Sequence, residues 1–145
     1  MDAVEIVRHV PASVDQVFEW WTHPERLREW MSPVGTVEAE VDLRVGGTIR
    51  IVMSGDGMTI EHLGTYIDIQ PPRRLEFSWT SRFTGGRPTL VVVELEPEGK
   101  DSTRLRLTHR QLPQPAVESH RGGWAAMLDR LEDELQAAAE ITRGG

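Results

Sequence analysis

The C-terminal segment of the chain shows the most regular pattern, because apolar residues recur every three or four positions from Pro115 to about Ala139. This spacing predicts a long helix with one apolar stripe. The apolar stripe holds His120, Trp124, Met127, Leu128, Leu131 and Leu135, and the opposite stripe holds Glu118, Arg121, Asp129, Glu132 and Asp133. Since a one-sided helix cannot bury its stripe alone, we expect a broad apolar surface to cover it.

Between residues 37 and 109 apolar residues recur at every second position, which predicts strands with one apolar face. The predicted inward residues are Val37, Ala39, Val41 and Leu43, then Ile49, Ile51 and Met53, then Leu75, Phe77 and Trp79, then Val91, Val93 and Leu95, and finally Leu105, Leu107 and His109. Gly55-Asp56-Gly57 predicts a hairpin turn, and Gly64, inside a strand from Met58 to Ile69, predicts a bulge or bend. Short connections between the strands predict an antiparallel meander.

The N-terminal segment predicts an edge strand and two short helices. Val4–Val10 alternates apolar and polar residues, and Ser13 with Gln16 is typical of a helix N-cap with a capping box. The first helix ends at His23-Pro24, and a second helix begins at about Pro24. Their apolar faces are Val14, Val17, Phe18 and Trp21 in the first helix, and Leu27, Trp30 and Met31 in the second.

These elements predict one α+β domain over residues 1–145, which is an ordinary domain length. Its fold is a helix-grip arrangement: a curved antiparallel sheet of about six or seven strands, with two short helices and a long C-terminal helix packed across it.

Composition narrows the function classes. The net charge is −7 and no basic cluster occurs, which argues against nucleic acid and anionic membrane surfaces as partners. The chain has no cysteine, which excludes disulfides, thiolate metal sites and a cysteine nucleophile. No apolar run is long enough to insert into a membrane and the N-terminus lacks a signal-peptide core, so a cytoplasmic location is predicted by default.

The unusual residues of the predicted interior are tryptophans and histidines. They are either ordinary core side chains or the walls and polar groups of a ligand cavity between sheet and helix. The candidate cavity residues are Trp21, Trp30, Met53, Trp79, Val91, His109, His120, Trp124, Met127 and Leu128, and the additional polar candidates are Glu61, His62 and Tyr66. Trp20 lies beside Trp21 and off its stripe, so it is predicted to be exposed at a subunit contact, as in a homodimer.

Several motifs resemble a known family, in the family's order and over nearly the whole chain. The chain resembles the activator of heat-shock-protein ATPase homologue (AHSA) family of the START-like (SRPBCC) superfamily. The matching stretches are Pro11-Ala12-Ser13 with Val17-Phe18; Trp21-Thr22-His23-Pro24-Glu25-Arg26-Leu27 with Trp30; Asp42-Leu43-Arg44-Val45-Gly46-Gly47; Gly64-Thr65-Tyr66; Pro71-Pro72-Arg73-Arg74-Leu75 with Phe77-Ser78-Trp79; Val93-Glu94-Leu95; Thr108-His109; and His120 with Gly123-Trp124. The resemblance implies the fold and its ligand cavity. It does not imply the co-chaperone role, because the co-chaperone that gave the family its name resembles this chain only in its C-terminal domain.

The predicted function is therefore non-enzymatic binding of a small hydrophobic molecule, such as a lipid, with no cofactor and no metal. The alternatives are a cyclase or dehydratase acting on a polyketide- or steroid-like substrate, which relatives in the wider superfamily suggest, and a chaperone-linked stress-response module. An acid–base enzyme requires a carboxylate or tyrosine near His109 or His120. An interaction module requires a large exposed apolar patch, for which Trp20 is the candidate.

Overall fold

A computed structural model describes residues 2–144 of the chain, and side-chain environments from residue 2 to residue 141. The strands are β1 (Asp2–Val10), β2 (Thr36–Val41), β3 (Thr48–Gly55), β4 (Met58–Gln70), β5 (Arg74–Trp79), β6 (Thr89–Pro97) and β7 (Thr103–Leu112). The helices are α1 (Val14–Thr22), α2 (Pro24–Leu27) and α3 (Val117–Gly144), and short 3-10 turns occur at Arg82–Thr84 and Gln114–Ala116.

The strands form one antiparallel sheet in the order β1-β7-β6-β5-β4-β3-β2. Strands β2 to β7 are consecutive neighbours, so the predicted meander is confirmed. The first strand is at the sheet edge, where Ile6 pairs with Leu107 of the last strand. The predicted α+β helix-grip fold is confirmed.

Helix α3 covers the apolar face of the sheet with the predicted stripe. Trp124, Leu128, Leu131 and Leu135 are each at most 1% exposed. The helix begins two residues after the predicted start and continues five residues beyond Ala139. Its outer stripe faces solvent as predicted, except that Glu132 is half-buried and its carboxylate lies 3.5 Å from the Arg8 guanidinium of β1.

Helix α1 begins as predicted, because the Ser13 side chain accepts from the Gln16 backbone and the Gln16 side chain accepts from the Ser13 backbone. The predicted extent of the second helix is wrong. Helix α2 ends at Leu27, so Trp30 and Met31 lie in the following turn, although both are fully buried.

Trp20 is 6% exposed, not exposed as predicted. The chain after α2 folds back over α1, so Trp30 Nε1 donates to the Trp20 carbonyl at 3.0 Å, and the Arg26 guanidinium lies 4.9 Å from the Trp20 ring centroid. Trp20 therefore offers no exposed surface for a subunit contact. The apolar pattern of α1 alone could not predict this burial, because the residues that cover Trp20 belong to the following segment.

Two strand predictions also need correction. Strand β2 ends at Val41, and Leu43 is 42% exposed because the chain turns between Asp42 and Arg44. The irregular pairing of β4 with β5 lies between Tyr66 and Asp68, not at Gly64. Gly64 is required for a different reason: a Cβ atom there would lie 1.9 Å from the Ser78 carbonyl oxygen of the neighbouring strand.

Alanine substitutions at two glycines test this packing. We expect Gly64→Ala to lower the free energy of unfolding by about 1–3 kcal/mol, because backbone atoms must shift to admit the methyl group. Gly122→Ala in α3 is the matched control, since nothing lies within 4 Å of its added Cβ. It should raise stability by about 0.5–1 kcal/mol through helix propensity. Urea unfolding measures both, and equal effects would contradict the close approach at Gly64.

Candidate functional site

A pocket of about 170 Å³ lies between the sheet and the N-terminal half of α3. The sheet contributes one residue from each of three consecutive strands, and the helix contributes one face of its first three turns. The lining residues are Met53, His62 and Trp79 from the sheet, Ser119, His120, Gly123, Trp124 and Met127 from the helix, and Pro33 and Phe83 from loops. Pro33, Phe83 and Ser119 are exposed, so they border the opening.

Five of the ten predicted cavity residues line this pocket: Met53, Trp79, His120, Trp124 and Met127. The other five, Trp21, Trp30, Val91, His109 and Leu128, lie behind the wall in the packed core and are fully buried. The reason is ring packing: Trp21 lies 4.6 Å from Trp30 and 6.1 Å from Trp124, measured between ring centroids. Aromatic side chains therefore fill much of the space between helix and sheet, and the pocket is at one end.

Four lining residues were not predicted: Pro33, Phe83, Ser119 and Gly123. Pro33 and Phe83 lie in connections, where no hydrophobic period exists to indicate a direction. Ser119 and Gly123 each adjoin a predicted stripe residue, but neither is apolar. The one usable signal for these residues in the sequence was Phe83, a large apolar residue in an otherwise polar loop. In the structure its side chain is 48% exposed.

His109 is held behind the wall by hydrogen bonds at both ring nitrogens. Trp124 Nε1 donates to His109 Nδ1 at 2.9 Å. Nδ1 is therefore the acceptor, so in the neutral ring His109 Nε2 carries the proton and donates to Thr89 Oγ1 at 2.7 Å. Thr89 Oγ1 in turn donates to the Trp79 carbonyl at 2.6 Å. This chain of bonds connects the two wall tryptophans through one neutral imidazole.

Burial lowers the pKa of His109 to about 3, and the nearby His120 and His62 imidazoles contribute to the same direction. The hydrogen-bond pattern agrees, because a second ring proton on His109 would face the indole N–H of Trp124. His109 therefore stays neutral across the physiological pH range and positions Trp124.

His62 lies in the pocket wall, stacked on Trp79 with ring centroids 4.7 Å apart. It is 5% exposed, and its Nδ1 atom is buried without a hydrogen-bond partner among the described residues. Burial lowers the pKa of His62 to about 4, His120 adds to the shift, and the Ile51 backbone opposes it more weakly. Because its Nδ1 atom has no described partner, this buried neutral imidazole has unused hydrogen-bonding capacity.

His120 also lines the pocket, one helical turn before Trp124. Its Nδ1 atom lies 2.8 Å from the Ala116 carbonyl oxygen, which can only accept, so Nδ1 carries a proton. The His109 and His120 ring centroids are 5.1 Å apart in an edge-to-face arrangement. In the neutral ring, His120 Nε2 is consequently a hydrogen-bond acceptor.

The other two polar candidates lie elsewhere. Glu61 is on the opposite face of β4 from His62, because strand side chains alternate, and its carboxylate accepts from Arg50 Nε at 2.6 Å. Tyr66 is 1% exposed and packs against Phe77 in the core. Its hydroxyl has no described partner, and burial raises the pKa of Tyr66. Neither residue lines the pocket.

The pocket is electrically neutral in its lining. Of the residues the structure describes, those that line it include no carboxylate, ammonium or guanidinium group. No cluster of three or more potential metal-ligating side chains is found within residues 2–144. None of the helices within residues 2–144 has an apolar stretch of the length that crossing a bilayer requires.

A curved antiparallel sheet that holds a long C-terminal helix, with a small apolar pocket at one end of their interface, defines the helix-grip class of α+β domains. The chain belongs to the family described as Activator of Hsp90 ATPase homolog 1-like protein, whose family model matches residues 11–136. The predicted resemblance to this family and to the SRPBCC superfamily is confirmed.

Solved structures share the fold over almost the whole chain. Protein NE0264 from Nitrosomonas europaea is 23% identical with a TM-score of 0.79, and the match covers 96% of this chain and 99% of that one. The AHSA1 protein SPO3351 from Silicibacter pomeroyi is 24% identical with a TM-score of 0.76, covering 94% and 99% respectively. CalU16 from Micromonospora echinospora is 29% identical with a TM-score of 0.73, covering 97% and 79%. No curated protein matches the chain in sequence.

Proposed function

We propose that this protein binds a small hydrophobic molecule in the pocket between the sheet and α3, without catalysing a reaction. The observation that carries the proposal is the chemistry of the wall: three large aromatic rings and two thioethers surround two imidazoles, and the Nδ1 atom of one of these, His62, is buried without a described partner. Apolar walls with a few polar groups are typical of small-molecule sites. Membership of a family with a ligand-binding type of fold supports the same function.

The contacts of the histidines favour binding over acid–base catalysis. His109 is committed at both nitrogens to Trp124 and Thr89, and His120 Nδ1 is committed to a backbone carbonyl. Within the described residues, no carboxylate or tyrosine hydroxyl lies within hydrogen-bond reach of either ring. A cyclase or dehydratase would need such a partner to tune and orient its base. The chaperone-linked alternative loses its candidate contact, because Trp20 is buried.

Binding can be tested with two matched substitutions on one helix. A Cβ atom at Gly123 would have only the Pro33 side chain near it, at 3.9 Å, so leucine at 123 should fill the pocket without disturbing the core. Gly122 is exposed and does not line the pocket, so Gly122→Leu is the control. We expect small hydrophobic compounds to change the tryptophan fluorescence of the parent protein and Gly122→Leu saturably, and to leave Gly123→Leu unchanged.

The compound panel for this experiment consists of lipids, sterols and aromatic compounds of increasing size. Absence of saturable binding by the parent protein across the panel would overturn the proposed function. Binding that Gly123→Leu and Gly122→Leu reduce equally would place the ligand outside this pocket. Circular dichroism of both variants verifies that each one is folded.

A further inference from the structure

We propose that the ligand of this pocket is an uncharged, single-ring phenol whose hydroxyl group donates a hydrogen bond to His120. This inference rests on the binding function proposed above and specifies the chemical class of the ligand. It follows from the hydrogen-bonding role of His120, from the neutral polar character of the neighbouring His62, from the absence of charged groups in the described lining, and from the size and shape of the pocket.

His120 has one hydrogen-bonding role that remains open to a ligand. Because Nδ1 donates to the Ala116 carbonyl, the neutral ring has only the Nε2 lone pair left to offer. Nε2 makes no hydrogen bond to any described residue, and the ring lines the pocket. His120 therefore selects a ligand group that donates a proton, such as a hydroxyl.

His62 lines the same pocket, and its Nδ1 atom is buried without a hydrogen-bond partner among the described residues. A hydroxyl that donates to His120 keeps its own lone pairs, so it places a neutral polar atom in the part of the pocket that the two imidazoles border. His62 therefore favours a hydroxyl over a purely apolar group at this place.

The neutral lining favours an uncharged ligand. An ionised carboxylate or ammonium in this pocket would be removed from water without a countercharge, since the described lining has none. Burying an unpaired charge is far more costly than burying a hydrogen-bonded neutral group. A phenol titrates near pH 10, as a tyrosine side chain does, so it enters uncharged at neutral pH.

The pocket has the size of a single aromatic ring. An apolar cavity of about 150 Å³ accommodates benzene, and this pocket measures about 170 Å³. Three of the lining residues, Trp79, Trp124 and Phe83, are aromatic, and aromatic rings favour an aromatic guest. Gly123 has no side chain, so the helix surface beside Trp124 is open. One substituted ring fits, and a further substituent can extend through the opening beside Phe83.

The test compares three ligands of one shape: 4-ethylphenol, its methyl ether 4-ethylanisole, and 4-ethylbenzoate. Affinities are measured by calorimetry and by NMR chemical-shift titration at pH 8, above the range in which histidine side chains ordinarily titrate. We expect the phenol to bind at least about tenfold more tightly than the ether, which is the effect of one buried hydrogen bond. The benzoate should bind more weakly than either. In His120→Leu, the phenol and the ether should bind equally, with the affinity of the ether unchanged.

Equal affinities of the phenol and the ether in the parent protein would overturn this inference while leaving hydrophobic binding in place. Tighter binding of the benzoate would overturn the requirement for a neutral ligand. Binding of none of the three, when larger panel compounds also fail, would overturn the proposed function itself. If His120→Leu lowers the phenol and ether affinities by the same factor, His120 has only a structural role, which contradicts its role as the acceptor.

Discussion

Replacing Trp124 with alanine is expected to lower the free energy of unfolding by about 3–5 kcal/mol. The ring is 1% exposed and lies 6.0 Å from the Trp79 ring and 6.1 Å from the Trp21 ring, between centroids. Its removal leaves a cavity that these rigid neighbours cannot fill. It also removes the N–H donor of His109 Nδ1, which then has no partner in a fully buried position. The loss is a large share of the roughly 5–15 kcal/mol by which a domain of this size is stable.

The matched control is Asp133→Ala on the solvent side of the same helix. Asp133 is exposed, so its loss should change stability by no more than about 0.5 kcal/mol. Glu132 is a poorer control, because its carboxylate lies near Arg8. Urea unfolding at pH 7.5 measures the difference. Small and equal effects of both substitutions would mean that the helix does not pack on the sheet through the Trp124 face.

We expect the protein to lose stability in mild acid because of its buried histidines. The pKa of His109 is about 3 and that of His62 about 4 in the folded protein, against about 6.5 for histidine in an unfolded chain. Between these values the unfolded chain binds protons that the folded protein excludes, so acid favours unfolding. Above about pH 6.5 both states hold these histidines neutral, so the free energy of unfolding is not reduced by their titration. It decreases by up to about 1.4 kcal/mol per pH unit for each histidine as the pH falls toward 4.

His109→Gln separates this effect from the titration of surface carboxylates. A glutamine amide can accept from Trp124 and donate to Thr89, but it does not titrate. The free energy of unfolding, measured in urea from pH 7.5 to pH 4.5, should fall less steeply in the variant. Below about pH 6.5, the slopes of the two proteins should differ by about 1.4 kcal/mol per pH unit. Parallel curves for the two proteins would show that His109 is not held neutral in the folded state.

Much of the fold was predictable from local spacing. The inward residues of β5 and β7 and the apolar stripe of α3 are each defined by a period of two or about 3.6, which depends only on backbone geometry. The capping box at Ser13 and the Asp-Gly turn at Asp56-Gly57 are equally local, and both are present. The position of β1 at the sheet edge was predicted, but its partner β7 was not, because that pairing joins the first strand of the chain to the last.

The pocket was only half predictable. Periodicity identifies which side chains face the interior, and all ten predicted cavity residues do so. It does not distinguish a side chain that fills space from one that borders empty space, since that depends on how rings from several elements interlock. Trp21 and Trp30 contact each other and fill the centre, whereas Trp79 and Met53 lie at the end where Pro33 and Phe83 border the opening.

The sequence by itself determined the elements, their inward faces and the family, because these depend on local spacing and on motifs in a recognisable order. The tertiary structure alone decided that Trp20 is buried, since Arg26 and Trp30 reach it from the next segment. It also decided the different roles of the histidines. His109 is satisfied at both nitrogens by residues far from it in sequence, while the Nδ1 atom of His62 has no described partner. Burial and hydrogen bonding between distant segments are properties of packing, and no one-dimensional pattern encodes them directly.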